Sequence, residues 1–126
     1  MIERHIVPGQ PQPYSHYCHV VRADQHVWVS GAVGVAADGS VPPDTVAQFR
    51  VALASVDACL RQVGAEPRHV VKVTIFMTDI SERGAINPLR IEYFGAHRPA
   101  STLVEVSALV DPRLTVEIEA VAYVDG

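Results

Sequence analysis

The chain has 126 residues, 48% of them apolar and 19% charged, with a formal net charge of −4. That length sustains a hydrophobic core without metals or disulfides, and the ten Lys and Arg residues are scattered singly, which leaves no basic patch for nucleic acid or an anionic membrane. Cys18 and Cys59 stand far apart and outside any CxxC spacing, the start MIERHIVPGQ is charged where a signal peptide would be apolar, and no run nears the roughly 20 apolar residues that span a bilayer. The expectation is one cytoplasmic domain over residues 1–126, its core built mainly from Val, Ala, Leu and Ile.

IERHIV (2–7) reads as a short strand, and the prolines of PGQPQPYS impose a loop after it. Tyr17 to Arg22 and His26 to Val33 read as a hairpin turning at Ala23-Asp24-Gln25. Asp44 or Thr45 can cap a helix, with Gln48 three residues after Thr45 in capping-box spacing. Val46, Phe49, Leu53, Val56, Leu60 and Val63 then recur at helical intervals as one apolar stripe that ends at Gly64. VVKVTIFM, Val70 to Met77, is rich in β-branched residues and reads as a central strand. A second helix closes at Gly95 and starts either near Ser81 or at Asn87, where Pro88 would occupy the first turn. Ser101 to Val106 and Leu114 to Tyr123 complete the strands, with Asp111-Pro112 marking a turn between them. Trp28 and Met77 read as core.

This order predicts an α+β fold, a single mixed sheet with two helices on one face. Strand alternation places Thr102, Val104 and Val106 with Val116, Ile118, Ala120 and Ala122 against the helices. Ser101, Leu103 and Glu105, with Glu117, Glu119, Val121 and Tyr123, then fall on the other face. A face carrying Leu, Val and Tyr beside carboxylates suggests an oligomer interface with polar clefts at its margins.

PYSHYCHVV…VWVSGAV, VVKVTIFMTDI and RPASTLVEVSAL…VEIEAVA together resemble the RidA family, also called YjgF, of reactive-imine deaminases. The resemblance runs over nearly the whole chain, and the closing motif is its most specific part. It implies a chorismate-mutase-like fold, a homotrimer, and small-molecule ligand clefts between neighbouring subunits. It also implies hydrolysis of enamines or imines without a metal or organic cofactor. By the same resemblance Tyr17, Ser30, Gly31 and Asn87 line the cleft for substrate and Glu117 is its catalytic glutamate, orienting a water and serving as general base or acid.

Ser101 departs from the pattern, because deaminases of the family carry an arginine after the Pro-Ala dipeptide to grip a substrate carboxylate. Arginine offers a planar charged fork, and serine only one neutral donor. The loss should weaken carboxylate binding by about tenfold to more than a hundredfold, unless Arg98 reaches the cleft instead. Two readings follow: a hydrolase of C=N bonds with changed specificity, or a trimer that binds a metabolite or protein partner without turnover.

Bland readings stand beside the chemical ones. Glu117, Glu119 and Glu105 can share a face and raise one another's pKa, or can pair with Arg113, Arg98 or Lys72 of a neighbour. Tyr17 can be a rim aromatic, and Gly31 a mere bulge or close strand approach. His16 and His19, the only histidines close in sequence, lack the partners of a metal site.

Overall fold

The computed structural model describes residues 1–125. The chain runs β1 (Ile2–His5), β2 (Val20–Ala23), β3 (His26–Val33), α1 (Thr45–Gln62), β4 (Val70–Met77), α2 (Arg83–Phe94), β5 (Ala100–Glu105) and β6 (Val116–Tyr123). The strands form one six-stranded sheet in the order β1-β2-β3-β6-β4-β5. Only the edge pair β4 and β5 is parallel, and α2 makes the crossover between them. The expected α+β architecture is the one observed.

One face of the sheet is the core. Val27, Val29, Val73, Ile75, Met77, Val116, Ile118, Ala120 and Ala122 are buried there beneath the Phe49, Leu53, Val56 and Leu60 stripe of α1 and Ile86 and Leu89 of α2. No helix among the described residues is long and apolar enough to cross a membrane.

Several local expectations change. The first strand stops at His5, and β2 begins at Val20, so Tyr17 belongs to the preceding loop. Asp24 makes the hairpin turn with a positive φ of 53°, a conformation that Asp tolerates better than most residues. Asp44, not Thr45, caps α1, its side chain accepting from the Ala47 amide at 2.8 Å. Gln48 leaves the cap and reaches instead across to the chain before β6. The second helix follows the earlier of the two starts: a short turn at Ile80–Glu82, capped by Asp79, leads into α2, and Pro88 lies inside the helix.

The faces of β5 are reversed from expectation. Parallel pairing sets Leu103 beside the buried Ile75, so Leu103 packs on the core, Ser101 meets α2 and Glu105 accepts from the Ile80 amide at 3.0 Å. Thr102 and Val104 lie on the open face, Thr102 accepting from Lys72 at 2.8 Å. Apolar residues occur at both parities of this edge strand, and the pairing with β4 decides between them. Glu105 is therefore not a neighbour of Glu117 and Glu119.

Trp28 is likewise not core. It alternates with the buried Val27 and Val29 and stands 45% exposed on the open face. There its ring centroid lies 5.9 Å from that of His26, which meets Tyr123 edge-on at 5.2 Å. This aromatic group and the exposed Val104 leave the open face partly apolar and uncovered.

Candidate functional site

The site begins with a fault in the ladder between β3 and β6. Val29 pairs with Ala120 and Ala32 with Ile118, so Ser30 and Gly31 together oppose Glu119 alone. This is a β-bulge, which bends a strand and re-aims its side chains. Ser30 is held by its amide on the His19 carbonyl at 3.0 Å and by its hydroxyl on the Cys18 carbonyl at 2.7 Å. Gly31 leaves room that another residue fills: a Cβ there would fall within the Glu117 carboxyl group, 2.8 Å from its Cδ. Both bland readings of Gly31, a bulge and a close approach, are physically real, and together they seat the glutamate.

Glu117 is half-buried on the open face, opposite Val33 on one side and Phe76 on the other. Burial, with the Glu119 carboxylate on the same face as a lesser cause, raises its pKa above the ordinary glutamate range. The carboxyl opens into a cleft of about 330 Å³ whose walls include Tyr14, Tyr17, Ser30, Gly31 and Val110.

Tyr14, which sequence reasoning passed over, shapes this cleft, and His19, weighed in the sequence only as a metal ligand, lines the adjoining cavity with the same tyrosines. Tyr14 donates its amide to the Tyr17 hydroxyl at 3.1 Å, tying the two tyrosines together at the rim. His19 accepts from the Val7 amide through Nδ1 at 2.9 Å and lies 2.9 Å through Nε2 from the Pro11 carbonyl. A ring that accepts at Nδ1 and donates from Nε2 meets both partners, and the two bonds fasten the start of the proline-rich loop. The nearby Cys59 is buried, and burial pushes its thiol up to about 11, which suits packing and not nucleophilic attack.

Asn87 and Ser101 lie elsewhere. Asn87 lines a separate hollow of about 350 Å³ with Arg90, Phe94 and Arg98. Ser101 stands on the helix side of the sheet, bonded to Arg90 of α2. Within one chain Tyr17, Ser30, Gly31 and Glu117 thus come together, and Asn87 and Ser101 do not join them. Among the described residues no group of three His, Cys, Asp or Glu could hold a metal ion.

The raised pKa has a measurable consequence. A carboxyl that binds its proton more tightly when folded favours folding below the ordinary glutamate range, and that advantage is lost as pH rises through the raised value. Glu117→Gln should therefore raise the melting temperature at neutral pH by about 1–3 °C, a figure already discounted for solvent screening. At about pH 3 the two proteins should melt together. Melting curves across that range check this, and a lower melting temperature for the variant at neutral pH contradicts it.

An α+β sheet with one uncovered face of mixed polarity, and a bulge that seats a half-buried glutamate in a cleft, defines the class of protein. The comparisons supply the family. The family model described as Endoribonuclease L-PSP matches residues 8–124. The 3-aminoacrylate deaminase RutC of Acinetobacter baylyi is 35% identical over 122 residues, covering 94% of this chain and 96% of that protein. The 2-iminobutanoate/2-iminopropanoate deaminase of Mus musculus is 32% identical over 115 residues, covering 89% and 84%. Among solved structures, a Mycobacterium tuberculosis member of the YjgF/YER057c/UK114 family is 40% identical with a TM-score of 0.79, covering 86% of each chain. The chain belongs to the RidA/YjgF/L-PSP family.

Proposed function

We propose that this protein is a homotrimer that hydrolyses a small imine or enamine, without a cofactor, in clefts completed by a neighbouring copy. The observation that carries the reading is the Glu117 carboxyl, half-buried against Gly31 and open to a cleft walled by Tyr17 and Ser30. Imine hydrolysis adds water to the C=N carbon. Glu117 accepts the proton that the water gives up, the nitrogen is protonated, and the carbinolamine collapses to a carbonyl as ammonia leaves. An enamine first takes a proton on carbon, which the same carboxyl in its acid form delivers.

Two features support association between copies, and the family resemblance makes the assembly a trimer. The uncovered sheet face is apolar enough to need a partner, and the Asn87 hollow can meet the Glu117 cleft only through another copy. The alternative is a trimer that binds its ligand without turnover, favoured by Ser101 where the family resemblance implies an arginine.

Light scattering on the purified chain should give three times the monomer mass. Carbonyl-product release should be followed from 2-iminobutanoate and 2-aminoacrylate (a 2-oxo acid) and from 3-aminoacrylate (an aldehyde acid), each generated in the cuvette. Hydrolysis of at least one, faster than its spontaneous decay, is expected. No acceleration of any of them leaves the binding module standing.

A further inference from the structure

We infer that Arg90, presented from α2 and steadied by Ser101, is the carboxylate anchor of the ligand cleft, with Arg98 and Asn87 beside it. Arg90 Nη2 donates to Ser101 Oγ at 2.7 Å. That bond uses one of the guanidinium's five N–H donors, and a hydroxyl supplies no counter-charge. The side chain is nevertheless half-buried, and burial lowers its pKa from the usual guanidinium value.

Arg61 pairs with Asp57, Arg68 with Glu66 and Asp125, and Arg113 with Asp111. Among the described residues no carboxylate pairs with Arg90 or with Arg98, which lines the same hollow of about 350 Å³. Among the described residues Arg4, Arg22, Arg50 and Arg83 also lack a carboxylate partner, so what sets Arg90 apart is the hollow it shares with Arg98 and Asn87. A half-buried guanidinium without a carboxylate is poorly compensated, and a planar anion with two oxygens meets its remaining fork. Asn87 and Arg90 are three residues apart on α2, so amide and guanidinium share one helix face.

The ligand class is a small metabolite carrying a carboxylate, which reverses the expectation drawn from Ser101 alone. The guanidinium is present, but it arrives from the helix, and the serine is its acceptor and positioning residue. A shorter side chain at 101 leaves the space that Arg90 uses.

The inference rests on the reading above only for turnover, because carboxylate binding can be measured by itself. Wild type, Arg90→Gln, Arg90→Lys and Ser101→Ala are titrated by NMR with 2-oxobutanoate and with its uncharged amide, and melting curves confirm that each variant folds. Wild type should prefer the carboxylate, and Arg90→Gln should weaken it by about ten- to a hundredfold while leaving the amide unaffected. Arg90→Lys should restore part of the loss, since it keeps the charge without the fork. Ser101→Ala should raise KM several-fold at unchanged kcat. A folded Arg90→Gln that binds 2-oxobutanoate as wild type does overturns the anchor, as does a wild type that binds neither probe. Arg90-dependent binding without hydrolysis keeps the anchor and removes the catalytic reading. Hydrolysis with a KM indifferent to Arg90 does the opposite.

Discussion

Gln48→Leu is expected to destabilise the protein by about 3–5 kcal/mol, because it strips partners from three backbone groups at once. Gln48 is 1% exposed. Its Nε2 donates to the Pro42 carbonyl at 3.0 Å and the Arg113 carbonyl at 2.9 Å, and its Oε1 accepts from the Thr115 amide at 2.8 Å and the Thr115 hydroxyl at 3.2 Å. The amide's full capacity is thus used. Leucine fills a similar volume, so the loss reports the unpaired polar groups and not a cavity. The Thr115 hydroxyl keeps its bond to Thr45 at 2.8 Å, which holds the cost to three groups.

The melting temperature should fall by about 10–20 °C, compared at one protein concentration because association adds to stability. Gly34 packs so closely on this residue that a Cβ there would lie 2.7 Å from Gln48 Cα. The clasp therefore locks α1, the loop after β3 and the entry to β6 together, two residues before Glu117. A loss under about 1 kcal/mol would show that water or relaxation satisfies the three groups.

What the sequence made legible follows from how many constraints each residue obeys. The α1 stripe is one-sided and five turns long, so its period survives, and Val70 to Met77 is apolar enough to be central whatever its neighbours. β5 fails for the opposite reason. It is an edge strand with Leu103 at one parity and Val104 at the other, and only its register with β4 tells which side is buried. Trp28 misleads because a large aromatic reads as core, although Val27 and Val29 already hold the buried parity of its strand.

The site was legible on one side only. Tyr17, Ser30, Gly31 and Glu117 lie in the motifs that carry the family resemblance, and the structure gathers them. Gln48 looked like a capping residue because its decisive partners, Arg113 and Thr115, lie far along the chain. Arg90 gave no signal at all. In sequence it is a solvent-facing helix cation like any other, and only the packing of α2 on β5 sets it against Ser101.

Glu117→Gln should lower kcat by about 10²–10⁴-fold while leaving keto-acid binding nearly unchanged, if Glu117 manages the protons of hydrolysis. Glutamine keeps the shape that the Gly31 gap accommodates and removes only the capacity to gain and lose a proton. The pH profile separates this role from a structural one. With an imine substrate the base form is required, so the acid limb of kcat should follow the raised Glu117 pKa and lie above the ordinary glutamate range. Glu119 contributes to that rise through its charge, so Glu119→Gln should move the limb to lower pH without abolishing turnover. A glutamate that merely braced the bulge would give neither effect. Retention of wild-type turnover by a folded Glu117→Gln, or an acid limb indifferent to Glu119, assigns the proton chemistry to another group.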